Sequence, residues 1–407
     1  MTRDSRRGEE RARSVLYGVT VGKSAFTLLR GQLGWFREQG WDVSLAATPD
    51  AKAEAAAERE QVTLHALPMT RSLTPLADLR SLFRWIALIR RVKPDVTNVS
   101  TPKAGLLGGM AAAILRVPKR IYVVRGLRLE STSGALYKLL WAMERASIAF
   151  ATDVIFVGHG LAREAAKRGL GAAGKGWVIG EGSSNGIDVE GLVKRAGGAT
   201  REEMRTEFGF EPTDFVVGFV GRIAIDKGLD TLIAALSEEE FPQEAKLLIV
   251  GGTEDEELAD RLRALGRRVT MTGDVADVSR AMLAMDVLCL PSRREGFPTV
   301  ALEAAAMRLP VVATRATGCG DAVLDGETGR LVDIDDHRGL ADAIRDLHAA
   351  PEEARTMGER GHQRVLADFR PEAIWSGILA VMTNSYDKAG LHPVGSRPST
   401  ESEKEQP

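Results

Sequence analysis

Short apolar runs alternate with longer amphipathic segments along the chain. The runs are bounded by glycine, proline and polar residues, which is typical of buried parallel strands, and the segments between them have helical spacing. Strands are predicted at residues 14–19, 43–47, 95–99, 121–124, 154–157, 215–220, 247–250, 269–272, 287–290, 311–314 and 329–332. This alternation predicts an α/β fold. Because 407 residues are too many for one ordinary core, we expect two domains.

The helix predicted at residues 76–91 places apolar and basic residues side by side. Its apolar positions are Leu79, Phe83, Ile86 and Ile89. They alternate with four arginines, Arg80, Arg84, Arg90 and Arg91. Such a helix is commonly a solvated basic face, and the functional alternative is a surface that meets anionic lipid headgroups.

The two halves of the chain carry opposite charge. Up to Asp188 there are 28 Lys and Arg against 17 Asp and Glu, a formal charge of +11, and the remainder holds 26 against 39, a charge of −13. A basic half can bind an anionic membrane, a nucleic acid or an anionic substrate, and it can also attract the acidic half.

No segment predicts membrane insertion or export. The longest apolar stretches, such as residues 142–151, are too short or are interrupted by charge, and residues 1–13 are charged throughout. Cys289 and Cys319 fit neither a disulfide framework nor a zinc site. These features predict a protein of a reducing cytoplasm.

A tight loop after the strand at residues 287–290 carries two candidate carboxylates. Gly296 and Pro298 prevent continuous helix, so Glu295 lies in the loop and Glu303 near the start of the next helix. Ligands of open α/β sheets lie beyond the carboxyl ends of the strands. There an ionised carboxylate can accept two hydrogen bonds from vicinal hydroxyls of a ribose or hexose, and the alternative is that both acids are merely solvated.

A second loop, after the strand at residues 215–220, pairs an arginine with a lysine. Arg222 and Lys227 lie five positions apart, between glycines, where a helix begins. A guanidinium, an ammonium and a helix dipole suit two neighbouring phosphates. Gly251, after another strand, either lets the backbone approach a nucleotide or forms a plain turn.

The loop at residues 20–25 has some features of a P-loop. Its Gly-Lys-Ser follows Gly18 one position too soon for that motif, so a nucleoside triphosphatase is not predicted. A small, donor-rich loop at the end of a strand can still bind phosphate, which makes Gly22 and Lys23 candidates.

Two motifs identify a family. E-G-F-P-x-x-x-L-E, from Glu295 to Glu303, and G-R-x-x-x-x-K-G, from Gly221 to Gly228, resemble signatures of family-4 retaining glycosyltransferases of the GT-B fold. T-P-K-A-G-L-L-G, R-G-L-R-L-E and G-S-S-N-G-I-D resemble the bacterial members that build lipid-linked oligosaccharides and exopolysaccharides. That subgroup includes the N,N'-diacetylbacillosaminyl-diphospho-undecaprenol N-acetylgalactosaminyltransferases. The resemblance spans roughly residues 15–385.

The resemblance implies two Rossmann-like domains that face a cleft. The polar termini are expected to be disordered. The predicted divisions are a disordered N-terminus at 1–13, an acceptor-binding domain at 14–188, a nucleotide-sugar-binding domain at 189–370, a helix crossing back at 371–387 and a disordered tail at 388–407.

The activity implied by the resemblance is transfer, with retention, of a hexose or N-acetylhexosamine. The donor is expected to be a nucleotide diphosphate sugar, UDP-linked, and the acceptor a saccharide on polyprenyl diphosphate. Arg222 and Lys227 would stabilise the diphosphate leaving group, Glu295 would hold the donor hexose and Glu303 the ribose.

Further site residues and partners follow from the same comparison of motifs. Donor contacts are predicted at Gly22, Gly221, Gly251, Gly296, Phe297 and Pro298, and acceptor contacts at Lys23, Lys103, Arg125 and Arg128. No cofactor or metal is expected, because the sequence lacks a D-x-D-like motif and the basic pair can replace Mg²⁺. The partners are a nucleotide sugar, the lipid-linked acceptor and an anionic membrane surface, with no nucleic acid, and the protein is expected at the inner face of the cytoplasmic membrane.

Three positions depart from the family pattern, and two other functions are possible for a chain of this kind. Asn98, Ser100 and Arg125 stand where related sequences often carry histidine. One alternative is a GT-B nucleotide-sugar 2-epimerase, which should carry acids and a histidine in its cleft, whereas His65, His159 and His337 have no evident acidic company. The other is a periplasmic sugar-binding protein, which would need an export signal.

Overall fold

The structure is a computed structural model that describes residues 12–70, 72, 74–275, 277–387, 391 and 393–394. Most of the two segments predicted to be disordered, 1–13 and 388–407, lies outside the described residues.

The first half of the described chain forms a seven-stranded parallel sheet with the order β3-β2-β1-β4-β5-β6-β7. Its strands are β1 (Ser14–Gly18), β2 (Asp42–Ala47), β3 (Thr63–Ala66), β4 (Val96–Ser100), β5 (Lys119–Val124), β6 (Asp153–Phe156) and β7 (Gly176–Trp177). The helices are α1 (Gly22–Leu28), α2 (Gln32–Glu38), α3 (Ala51–Glu60), α4 (Pro75–Val92), α5 (Pro102–Ile114), α6 (Gly134–Phe150) and α7 (His159–Lys167). The apolar runs predicted five of these strands and missed β3 and β7.

The second half forms a six-stranded parallel sheet over the described residues, in the order β10-β9-β8-β11-β12-β13. Its strands are β8 (Val216–Val220), β9 (Lys246–Val250), β10 (Val269–Gly273), β11 (Val287–Leu290), β12 (Val311–Thr314) and β13 (Gly329–Val332). Its helices are α8 (Val189–Arg195), α9 (Arg201–Phe208), α10 (Leu229–Ala235), α11 (Glu256–Arg263), α12 (Ser279–Ala284), α13 (Thr299–Ala306), α14 (Cys319–Ala322), α15 (His337–Ala349) and α16 (Pro351–Asp368). The predicted α/β class with two parallel sheets is confirmed.

The helix predicted from Thr27 onward is divided into α1 and α2. Gly31 adopts φ +76° at the start of α2, a left-handed backbone that suits glycine. A Cβ at this position would lie 2.9 Å from the Trp375 ring, and the Gly31 N–H donates to Glu60 at 2.9 Å. The division therefore depends on residues distant in sequence.

The last described helix, α17 (Pro371–Thr383), packs on the first domain. The Trp375 ring lies 5.9 Å from that of Trp35, and its indole N–H donates to Asn185 at 2.8 Å. Beyond the helix, Tyr386 stacks on Trp177 with the ring centroids 4.1 Å apart.

Polar contacts connect the two domains along the cleft. The Gly160 N–H donates to Asp321 at 2.8 Å, and the Thr317 hydroxyl donates to Glu130 at 3.0 Å. Both acceptors are buried enough that burial raises the pKa of each carboxyl. In the part of the chain that the structure describes, no helix is long and apolar enough to cross a bilayer.

Candidate active site

The two loops predicted to form the donor site meet at the carboxyl edge of the second sheet. β8 and β11 are neighbouring strands, so the loops that follow them lie side by side. The Lys227 ammonium is 2.6 Å from Glu295 Oε1, and the Ser292 hydroxyl donates to the same oxygen at 2.8 Å. The ion pair is largely shielded from solvent, with the Lys227 side chain 19% and the Glu295 side chain 12% exposed.

Arg222 belongs to a chain of charges next to this pair. Its guanidinium contacts Glu254 and lies 3.3 Å from Asp226, which also accepts a hydrogen bond from Arg294 at 3.1 Å. The Nε of Arg294 is buried and has no hydrogen-bond partner among the described residues. Three cations, Arg222, Lys227 and Arg294, therefore surround this corner of the site, and the sequence predicts roles for the first two.

The predicted glycines allow close approach of the backbone. Gly251 has φ +140°, and a Cβ there would overlap the carbonyl of Gly221. A Cβ at Gly296 would overlap the backbone carbonyl of Arg125, which belongs to the first domain. Gly296 is therefore a point where the backbones of the two domains touch.

The two residues after Gly296 have structural roles. The Phe297 side chain is buried, with its ring centroid 5.9 Å from that of Phe369. Pro298 occupies the residue position just before α13 and makes no side-chain capping hydrogen bond. The Phe297 side chain thus packs against Phe369, and the contact between Phe297 and the donor stays a prediction.

Glu303 occupies α13 with a different set of charged neighbours. Burial, and then Asp277, raise the pKa of Glu303 to about 7, whereas Arg195 and Arg30 lower it. In the part of the chain that the structure describes, no hydrogen bond to the carboxylate contributes to this pKa. A carboxylate with free acceptor capacity is the group that sugar hydroxyls can use.

The sequence predicts Gly22 in a loop, whereas the structure places it in a helix. It is the first residue of α1, and its N–H donates to Asp50 at 3.1 Å. The N–H predicted for a phosphate is therefore used within the domain. The Lys23 side chain is half exposed. Its ammonium lies 3.8 Å from an Asp274 carboxylate oxygen and so forms an ion pair between the two domains.

Lys103 is paired with groups of its own domain. Its side chain is buried at the start of α5, where the ammonium pairs with Asp78 at 2.6 Å and contacts the Ser72 carbonyl. A buried, paired ammonium fixes the loop before α4 and does not face the cleft as a free cation.

The remaining predicted acceptor residues follow β5. Arg125 donates to the Ser184 carbonyl at 3.2 Å, and burial lowers the pKa of Arg125 to about 10. Arg128 is exposed. Asn98 and Ser100, which stand where relatives often have histidine, are buried in β4.

Sequence reasoning missed Arg294, Ser292 and Asp226. The signal was present, because Arg294 precedes Glu295 directly and Asp226 lies four positions after Arg222 in the same loop. No cluster of three or more His, Cys, Asp or Glu side chains is placed to hold a metal ion in the described ranges.

Comparisons with known proteins agree with this arrangement. Residues 27–179 match the family described as glycosyl transferase 4-like domain, and residues 214–350 match glycosyl transferases group 1. The two facing sheets and these matches define a glycosyltransferase with the GT-B architecture. The capsular polysaccharide biosynthesis glycosyltransferase CapM of Staphylococcus aureus is 35% identical, over 92% of this chain and 97% of its own length. The chain belongs to this glycosyltransferase family.

Other relatives and solved structures support the same assignment. An Escherichia coli UDP-Gal:α-D-GlcNAc-diphosphoundecaprenol α-1,3-galactosyltransferase is 26% identical over 68% of this chain and 72% of its own length. The crystal structure of Anabaena HepE with UDP-glucose matches with a TM-score of 0.76 and 21% identity, over 91% of this chain and 99% of that one. The expected glycosyltransferase is confirmed over the epimerase and the sugar-binding protein.

Proposed function

We propose that this protein transfers a hexose or N-acetylhexosamine, with retention, from a UDP-sugar to a saccharide on polyprenyl diphosphate. The observation that carries the proposal is the Lys227–Glu295 ion pair, 2.6 Å long and next to the Arg222–Asp226–Arg294 chain. The donor assignment is supported by the UDP-glucose bound to HepE, and the acceptor by the lipid-linked substrate in the name of the E. coli relative.

The cations would act on the leaving group. As the bond to the sugar breaks, negative charge grows on the nucleoside diphosphate, and fixed cations that bind this charge most strongly in the transition state accelerate the step. The acceptor hydroxyl would attack the face from which the diphosphate departs, with a phosphate oxygen taking its proton. Glu295 would orient the hexose and Glu303 the ribose. No metal is needed in this scheme, because the arginines and Lys227 supply the positive charge.

A panel of donors tests the proposal. The protein is incubated with UDP- and GDP-sugars and a short-chain polyprenyl diphosphate saccharide, with and without EDTA, and product is scored by mass spectrometry and the anomeric configuration by NMR. We expect an α-linked product from an α-linked UDP-sugar, at the same rate with EDTA. Inversion of configuration would contradict retention, and a preference for GDP-sugars would contradict the UDP-sugar donor. Loss of activity with EDTA would contradict metal independence.

We also propose that an outer helical face, formed by Leu76, Leu79 and Phe83 of α4 with Leu136 and Leu139 of α6, rests on the cytoplasmic membrane. These side chains are 78%, 51%, 62%, 48% and 48% exposed. Helix α5 lies between the two helices. Because α4 follows β3 and α6 follows β5, the N-terminal halves of both helices, which carry these residues, lie near the carboxyl edge of the sheet. Exposed large apolar residues in one region commonly mark an interaction surface.

The charge around this face selects an anionic lipid surface as its partner. Arg80 and Arg84 are exposed on the same helix as Phe83. Basic residues beside an apolar face add about 1 kcal/mol each on anionic membranes. A lipid-linked acceptor would then reach the cleft from the bilayer.

Vesicle sedimentation measures this contact. We expect binding to phosphatidylglycerol-containing vesicles and little to pure phosphatidylcholine, with a large loss in the double variant Leu79→Ser, Phe83→Ser. Val193→Ser, which changes an equally exposed apolar residue on α8, is the matched control. Equal binding by the double variant and the control would remove the proposed face.

A further inference from the structure

The carboxyl edge of the first sheet holds a guanidinium without a carboxylate partner. Arg125 follows β5, and its Nη1 donates to the Ser184 carbonyl at 3.2 Å. Its Nε is buried and has no hydrogen-bond partner among the residues that the structure describes. Burial lowers its pKa to about 10, and the group that opposes this effect is Tyr17 rather than an acid.

The Tyr17 hydroxyl is a second buried polar group, and its neighbour Asn98 does not reach full hydrogen-bond geometry with it. The residue is 1% exposed, and burial raises the pKa of its hydroxyl, an effect opposed by Arg125 and Asn98. Tyr17 and Asn98 are register partners on β1 and β4. Arg125, Tyr17 and Asn98 thus form one polar cluster on three successive strands of the sheet.

The position of the cluster is where an open α/β sheet binds ligands. The chain order changes direction between β1 and β4, because β2 and β3 lie on one side and β5 to β7 on the other. Ligands bind beyond the carboxyl ends of the strands at such a point. The backbone of Arg125 also touches Gly296, so the cluster adjoins the loop that carries Glu295.

The energetics indicate that the cluster serves binding rather than stability. A buried cation without an opposite charge costs several kcal/mol, and a buried hydroxyl without a hydrogen bond costs about 1–3 kcal/mol. An anion placed between the two groups would satisfy both. A neutral hydroxyl would leave the charge uncompensated.

We propose that Arg125 and Tyr17 form a subsite for an anionic group of the substrate. The inference rests on the proposed glycosyl transfer and names a charge that the substrate carries. Two sources provide this chemistry, a phosphate of the acceptor's lipid diphosphate and a carboxylate on a donor hexuronic acid.

Binding measurements with matched ligands distinguish the two sources. Isothermal titration compares farnesyl diphosphate with farnesol, and glucuronic acid with glucose in the presence of UDP, for the full chain. The variants are Arg125→Gln and Tyr17→Phe, with Arg145→Gln, an exposed arginine on α6, as control. We expect one anion to bind better than its neutral match, and Arg125→Gln to weaken that anion by about tenfold or more.

Stability provides a readout that a purely structural role would not give. Because Tyr17→Phe removes a buried hydroxyl whose contact with Asn98 falls short of full hydrogen-bond geometry, we expect the melting temperature to stay equal or rise while affinity for the anion falls. The proposal is overturned if Arg125→Gln leaves both affinities unchanged, or if neither anion binds the wild type better than its neutral match. UDP binding and UDP-sugar hydrolysis by the wild type report separately on the proposed transfer, so the two failures are distinguishable.

Discussion

At the scale of single residues, Lys227 is the cation most directly joined to the proposed chemistry. One carboxylate oxygen of Glu295 accepts hydrogen bonds from both the Lys227 ammonium and the Ser292 hydroxyl. The ammonium is therefore held in place before a diphosphate binds. Such preorganised charge requires no rearrangement at the moment of reaction.

Replacing Lys227 by Ala is expected to lower kcat for glycosyl transfer by about 10²–10³-fold, the usual effect of losing one preorganised donor. Steady-state kinetics with saturating acceptor measure it. Lys246→Ala, which changes a lysine at the start of β9, is the control and should leave kcat unchanged. A Lys227→Ala enzyme that matches the control would remove the phosphate role of Lys227.

Glu303 predicts a pH dependence of donor binding. Its pKa of about 7 means that the carboxylate is half protonated near neutral pH, and the ionised form is the better acceptor for two ribose hydroxyls. Affinity for a UDP-sugar should therefore rise as pH increases through 7. Titrations of wild type and Glu303→Gln test this expectation. Glu303→Gln should bind the UDP-sugar more weakly than wild type at high pH, and its affinity should not change with pH. If the affinity of the variant still changed with pH, the pH dependence would come from another group.

Some of these residue contacts could be predicted from sequence and others could not. Two loops carry Glu295, Arg222 and Lys227, and both follow strands that end at the same edge of one sheet. The proximity of these residues could therefore be predicted from the α/β pattern. Lys103 was assigned to the cleft because its motif is local, whereas the partner that buries its charge, Asp78, lies on a different helix. The Gly22 N–H likewise has a partner that no local pattern indicates, because Asp50 lies 28 positions along the chain.

At the scale of elements, α6 carries a buried acid beneath its exposed leucines. Glu144 accepts a hydrogen bond from the Tyr122 hydroxyl of β5 at 2.8 Å. Burial raises the pKa of Glu144 to about 7, although the bond from Tyr122 opposes the shift.

The raised pKa of Glu144 predicts that the free energy of unfolding falls as pH rises. Between the ordinary value of 4.5 and about 7, the folded state keeps a proton that the unfolded state releases, so stability is lost across this window and is constant above it. Glu144→Gln keeps an acceptor for Tyr122 without the titration. It should gain up to roughly 3 kcal/mol relative to wild type between pH 4.5 and 8. Denaturant unfolding at both pH values measures the gain, with exposed Glu58→Gln as control.

Strands and helices could be predicted where their burial follows from the local pattern of apolar residues. The apolar runs identified the central strands, because strands buried on both faces read as continuous apolar segments. The edge strands β3 and β7 were missed, since β3 is half exposed and β7 has two residues. The separation of α1 from α2 depends on Trp375, which lies more than three hundred positions along the chain.

At the scale of the whole molecule, we expect activity to depend on how closely the two domains approach each other. Gly296 of the second domain has room only for hydrogen beside the Arg125 carbonyl. Gly296→Ala should push the domains apart and reduce kcat by about 10²-fold, the usual effect of a misplacement of about 1 Å. Small-angle scattering should show a larger radius of gyration.

Gly320→Ala is the matched control for this prediction. A Cβ at Gly320 would meet no atom within 4 Å, although the residue lies in the same domain. Equal kcat and equal scattering of the two variants would contradict a role for the Gly296 contact. The opposite charges of the two halves were readable from sequence, but this single backbone contact was not, because it joins two chain segments that no local pattern relates.

The chain passes between the domains twice, and the two passes lie against each other. The Ile187 N–H donates to the Phe369 carbonyl at 2.7 Å, and a Cβ at Gly186 would press on the Pro371 backbone. Two covalent crossings bound together at one spot leave rotation about that spot as the easiest relative motion. We therefore expect the two domains to rotate about residues 186–188 and 369–371, so that the side of the cleft opposite this hinge opens most.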